Sequence, residues 1–229
     1  MTDIETPRPE YEFSEKYDPA HARKYFYKHN TGFWRRLSNW RENAMARKAL
    51  RLAGNPKSVL DLPCGTGRFW EMLAEDKERK LYVADNSEAM LETGLRLRPA
   101  DIVKRIEGFQ CSAFDIPKQD KFVESVFCMR FLHHIGDSND RQAILREFRR
   151  IATDTVIFSL WVDGNYKANR RLQLKQRTVR QGYQNRFVVP RQQIENDIAE
   201  AGLEVIAHVD FLKYYAMWRT YVCRVVEQR

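Results

Sequence analysis

The sequence predicts a doubly wound α/β fold, a mostly parallel seven-stranded sheet ending in an antiparallel hairpin. Three observations predict it. Short apolar runs alternate with amphipathic stretches from Ser58 to Trp161, the pattern of strands buried between helices. A glycine-containing loop, Asp61–Gly67, joins the first run to the first amphipathic stretch. The last two β-rich runs, Glu204–Phe211 and Tyr214–Val226, have no helix between them, and so short a connection suits antiparallel strands.

Taken in order, residues 1–16 are polar and proline-containing, a flexible lead-in to a single domain over 17–229. Over 17–55, Tyr25, Phe26, Phe33, Trp34, Leu37, Trp40, Ala44 and Leu50 recur at helical steps. They predict a helical lid of two helices split at Gly32 and stopped by Gly54-Asn-Pro56. The core, 58–161, holds strands at Ser58–Leu62, Leu81–Ala84, Ile106–Cys111, Ser125–Met129 and Thr155–Trp161. Its helices begin near Phe69, after a Ser87 cap, and after Asp137 or Ser138; the last puts Ile144, Leu145, Phe148 and Ile151 on one face. Residues 162–189 form a basic insertion. Over 190–229, a helix opens at Pro190, carries Ile194, Ile198 and Ala201, and ends at Gly202, and the hairpin closes the domain.

Composition narrows the classes. No apolar run approaches the roughly eighteen residues that would span a bilayer. The N-terminus lacks the apolar core of a signal peptide, so the expectation is a cytoplasmic protein. Cys64, Cys111, Cys128 and Cys223 make no CxxC pair and no zinc spacing with histidine, so free thiols and no metal are expected. The net charge is +8, and the eight basic residues between Gly164 and Gln193, with no acid among them, equal the whole excess. A second stretch, Arg23–Lys57, sets ten basic residues against Glu42 alone.

The loop Asp61-Leu-Pro-Cys-Gly65-Thr-Gly67 follows a strand and precedes a helix, where ligands of open α/β sheets bind. Its glycines let backbone approach a ligand closely. Trp70 stands where a dinucleotide fingerprint has its third glycine, which argues against a nicotinamide-cofactor oxidoreductase. Asp61 places negative charge beside the loop, suiting a cation better than a phosphate. Twenty-four residues on, Asp85 ends the second strand, followed by Asn86. Read alone, Asp85 is equally a turn residue before the Ser87 cap.

With these residues the sequence resembles the class I, S-adenosylmethionine-dependent methyltransferases, from Ser58 to Trp161. Asp61, Cys64, Gly65 and Gly67 match the family's first motif, with Pro63 in place of its first glycine. The resemblance implies S-adenosylmethionine as cofactor. It implies that Asp85 accepts hydrogen bonds from the ribose hydroxyls and that Asn86 lines the adenine. In the third motif Ser112 replaces the usual acid, so Ser112 or the Ala113 backbone takes the adenine contact, with Asp115 as a solvated loop residue in the other reading. At the fourth strand end Met129 and Arg130 face the cofactor. His133 and His134 follow, as a base or as structural residues.

The family builds its acceptor pocket from the N-terminal helices and the segment after the fifth strand, which here are the basic stretches. An anionic acceptor, a small molecule or a lipid-linked one, is expected against Trp161, Tyr166, Arg170, Arg171, Tyr183 and Arg186. A solvated helical face rich in arginine and lysine is the plain alternative. RNA is a second acceptor class, since Tyr166, Tyr183 and Phe187 interleave the basic residues. A non-catalytic protein that keeps the cofactor is a third reading. Methyl transfer needs chiefly alignment of a nucleophile, and needs a base only when the acceptor must lose a proton.

Overall fold

A computed structural model describes Ala22, Arg23, Phe26 and residues 32–177 and 186–226. The lead-in over 1–16, and all but three residues of the first expected helix, lie outside these. Helices α1 (Phe33–Leu52), α2 (Trp70–Leu73), α3 (Glu88–Leu97), α4 (Ala100–Val103), α5 (Ser138–Ile151), α6 (Tyr166–Arg177) and α7 (Arg191–Glu200) surround one sheet. Its strands are β1 (Ser58–Asp61), β2 (Lys80–Asp85), β3 (Ile106–Gln110), β4 (Val123–Cys128), β5 (Ala152–Trp161), β6 (Leu203–Asp210) and β7 (Trp218–Val225).

The strand order is β3-β2-β1-β4-β5-β7-β6. The first five strands are parallel; β7 runs antiparallel to both β5 and β6. The expected fold class is therefore the observed one. Alternation along each strand explains the two layers. Leu60, Val126 and Phe158 face α5 and α7, joining Ile144, Phe148, Ile194 and Ile198. Their neighbours Val59, Phe127 and Ile157 face the other way, against Ala46 and Leu50 of α1, Trp70 and Leu73 of α2, and Leu91 of α3. Each such buried side chain contributes about 1.5–3 kcal/mol.

The caps behave as the sequence suggests. Ser87 Oγ accepts from Met90 N, and Asp137 Oδ1 accepts from Asn139 N at 2.7 Å. Three local differences appear. The 162–189 insertion begins as a helix, α6, and the short α4 was not expected. β7 starts at Trp218 rather than at 214, because residues 211–216 fold into a turn in which Tyr215 N and Ala216 N donate to Leu212 O. That turn has a second use: the carbonyls of Tyr214 and Tyr215 accept from Tyr166 N and Lys167 N, satisfying the first donors of α6. Among the described residues, no helix is long and apolar enough to cross a membrane, and no histidine, cysteine, aspartate and glutamate group suits a metal. All four cysteines are free and buried.

Candidate active site

The loop after β1 is pinned to the sheet from beneath. Leu62 N donates to Phe127 O at 3.0 Å, and Cys64 N to Ala84 O at 2.8 Å. Pro63 is half-buried between them, at a cis Leu62–Pro63 bond. Gly65 (φ +56°) and Gly67 (φ +73°) are left-handed. A Cβ on Gly67 would lie 2.4 Å from the Trp70 ring, and one on Gly94 of α3 would lie 2.8 Å from the same ring. Trp70 is fully buried, so it is the packing piece between the loop and α3.

Two buried carboxylates meet at this loop. Asp85 Oδ2 accepts from Gly65 N at 2.7 Å, and its Oδ1 accepts from Ser87 N at 2.9 Å. Burial pushes Asp85 up to about 6 despite those two donors. Asp61, at the end of β1, is buried and its Oδ2 has no hydrogen-bond partner. Burial, and then the neighbouring charge of Asp85, hold Asp61 well above the usual carboxylate range. The same burial and the same two acids raise the Cys64 thiol, which makes it a poor nucleophile. Two acids with one buried oxygen unmatched fit a ligand that brings hydroxyl donors and a positive charge.

The rim beside Asp85 carries the residues expected near adenine. Asn86 O accepts from Gln110 Nε2 at 2.8 Å. Ser112 Oγ accepts from Phe114 N at 3.1 Å, and Ser112 bridges to Asp115. Ala113 is buried and Asp115 is exposed.

A second cluster stands at the ends of β4 and β5. Met129 is buried. Arg130 takes a left-handed backbone (φ +63°), and its N–H donates to Ser159 Oγ at 2.9 Å. Its guanidinium pairs with Glu42 of α1 at 2.8 Å and lies over Trp218, 4.9 Å from the ring centre. His133 and His134 occupy a 3₁₀ turn, Leu132–His134. The His133 ring packs on His134, Trp161 and Trp218 at 4.0, 4.9 and 4.8 Å. His133 is buried with Nδ1 unpartnered; burial, and then the charges of His134, Arg130, Arg186 and Arg171, hold it neutral far into acid.

The segment after α6 returns to this cluster. Phe187 N donates to His133 O at 2.7 Å and Val189 N to Trp161 O at 2.9 Å. The guanidinium carbon of Arg171, on α6, and that of Arg186, on this segment, lie 4.9 and 5.9 Å from the Trp161 ring centre. Tyr166 and Arg170 lie elsewhere, lining a cavity of about 470 Å³ with Asn169, Gln173 and Leu174. Tyr183 lies outside the described residues. The structure thus joins Arg130, His133, His134, Trp161, Arg171 and Arg186, and adds Glu42, Arg68 and Trp218, which no motif singled out. The one sequence signal for Glu42 was its isolation among ten basic residues.

Residues 59–154 match the family model of a methyltransferase domain. Over that stretch the chain is similar to a methyltransferase domain, and its strand order is that of the class I fold. The unmatched Asp61 oxygen and the Asp85 carboxylate fit the cationic S-adenosylmethionine that the sequence resemblance implies. Solved methyltransferase structures share the fold. One is magnesium protoporphyrin IX methyltransferase from Synechocystis PCC 6803 with bound SAH (S-adenosylhomocysteine). It is 12% identical with a TM-score of 0.67, covering 85% of this chain and 88% of that one. Another is geranyl diphosphate C-methyltransferase from Streptomyces coelicolor A3(2), 14% identical with a TM-score of 0.60, covering 81% and 79%. A third is the methyltransferase domain of bacterial CtHen1-C, 20% identical with a TM-score of 0.61, covering 83% and 100%. No curated protein matches the chain in sequence.

Proposed function

We propose that this methyltransferase methylates an anionic acceptor, a small molecule or a lipid-linked one, whose charge is taken by Arg171 and Arg186. The observation that supports it is the placement of both guanidiniums against Trp161, where β4 and β5 end. Arginine keeps its charge and forks two hydrogen bonds to a carboxylate or phosphate. Tyr166 and Arg170, which line the separate cavity on α6, are proposed to take a further part of the acceptor, and Tyr183 follows in the same stretch of sequence.

The chemistry the cofactor supplies is a methyl group made electrophilic by a positive sulfur. Around it, Asp61 and Asp85 hold the amino and ribose groups, with the backbone of Pro63, Cys64, Gly65 and Gly67 beneath. Asn86, Ser112 and Ala113 bound the adenine, and Met129 and Arg130 close the side toward the acceptor. The Trp161, Trp218 and His133 rings exclude water and orient the acceptor's reacting atom. Of the two histidines, His134 is our candidate base: burial and its neighbours make His133 a poor proton acceptor.

Labelled S-adenosylmethionine and a cell extract test the reading. Label is expected in a small anionic or lipid fraction, and Arg171→Glu should remove most of it while S-adenosylhomocysteine still binds. Ribonuclease-sensitive label would move the acceptor to RNA. Cofactor binding with no label in any fraction would favour a non-catalytic role.

A further inference from the structure

Glu42 is buried, with a side chain 8% exposed, and two arginines from distant parts of the chain converge on it. Arg130 Nη1 donates to Oε1 at 2.8 Å and to Oε2 at 3.1 Å. Arg68 Nη2 lies 3.0 Å from Oε2. Each arginine is held a second time. Arg68 Nε donates to Asn39 Oδ1 at 2.9 Å, one turn back on α1, and Arg130 rests on Trp218. Arg68 directly follows Gly67 of the loop after β1, and Arg130 lies just past β4, at the strand end expected to face the cofactor. One carboxylate on α1 therefore ties together the two segments that flank the cofactor.

The charge arithmetic matters more than the tie. Arginines do not lose their proton in proteins, so Arg68 and Arg130 bring two fixed positive charges to a site whose ligand carries a sulfonium. Like charge there opposes binding. Glu42 offsets half of that charge and draws both guanidiniums onto α1. We infer that Glu42 is a positioning and charge-balancing residue that lets the site accept a cationic sulfonium cofactor.

The cofactor and its product separate this from plain scaffolding, because S-adenosylmethionine carries the sulfonium charge and S-adenosylhomocysteine does not. Calorimetry with both ligands on the wild type and on Glu42→Gln reads the ratio of their affinities. Glu42→Gln is expected to weaken S-adenosylmethionine on the order of tenfold more than S-adenosylhomocysteine. The double variant Glu42→Gln/Arg68→Gln, which restores the balance, should recover most of the ratio. Equal weakening of the two ligands would assign Glu42 to architecture alone and overturn the inference. If a melting curve shows Glu42→Gln unfolded, Arg130→Gln gives the converse test. It leaves Glu42 balanced by Arg68 alone, takes the cluster from +1 to neutral, and should shift the ratio toward S-adenosylmethionine; an unchanged ratio is the overturning result. Absence of binding by the wild type would instead count against the cofactor assignment.

Discussion

Asp85 holds its charge where burial resists it, and the consequences for stability and for binding have opposite signs. Its folded value of about 6 lies above the unfolded 3.8. The folded chain therefore takes up this proton first as pH falls, and folding gains stability between about 6 and 3.8 from this group. Binding behaves the other way, because the neutral acid is a weaker acceptor for Gly65 N–H and for ribose hydroxyls. S-adenosylhomocysteine affinity should fall below pH of about 6, approaching about tenfold per pH unit, and Asp85→Asn should bind weakly with a flat profile. Calorimetry across that range checks both. A second residue-scale expectation concerns Gly67. Gly67→Ala meets the Trp70 ring and a left-handed backbone, and should cost about 1–3 kcal/mol in urea unfolding. At this scale the meeting of Asp85 with the Asp61–Gly67 loop was legible, since Asp61, Gly65, Gly67 and Asp85 sit at recognisable intervals. Trp70 was legible only as the absence of a glycine; its role as filler against Gly94 needs the three-dimensional path. Glu42 was not legible as a partner, because no spacing rule links residue 42 to residues 68 and 130.

Between elements, the two helices on the outer face of β4 and β5 are bolted by a buried ion pair. Arg141 Nε of α5 donates to Asp197 Oδ2 of α7 at 2.7 Å, with both side chains almost wholly buried. Arg141 Nη1 also donates to the carbonyls of Ile135 and Gly136, just beyond the histidine turn. Asp197→Ala leaves that guanidinium buried and unpaired, and should destabilise by about 3–5 kcal/mol. Chemical denaturation measures it; a loss under about 1 kcal/mol would mean the pair carries no net weight. The strands and α1, α3, α5 and α7 were legible because periodicity and caps agree along each. The helical start of the 162–189 insertion was legible only as the alternative of a solvated helical face, since its exposed Leu172 and Leu174 give α6 no clear apolar face. The shortened β7 follows from the 211–216 turn capping α6, a long-range bond that local pattern does not carry.

For the whole molecule, ligand and stability are linked. S-adenosylhomocysteine at about a hundred times its dissociation constant should stabilise the fold by about 2.7 kcal/mol, raising Tm by about 5–10 °C. Differential scanning fluorimetry tests this, and no shift at saturation would contradict a site formed by the native fold. The sheet class was legible from alternating strands and helices, and the terminal hairpin from the missing last helix. The meeting of Arg130, Trp161, Arg186 and Trp218 was not, because they come from four separate segments.

β7 is the last of the seven strands along the chain, yet it lies inside the sheet, between β5 and β6. A chain that has not placed it exposes the edge of β5, a ten-residue, mostly buried strand open to pairing with other chains. The β1–β2 and β2–β3 pairings span 22 and 25 residues, whereas β7 reaches β5 across 57 to 69, so that part of the sheet can gather before β7 docks on β5. The Trp218 wall arrives only with β7, so refolding should restore S-adenosylhomocysteine binding before it restores recognition of the acceptor. On the proposed function, an acceptor-binding assay would therefore report chains whose sheet is complete.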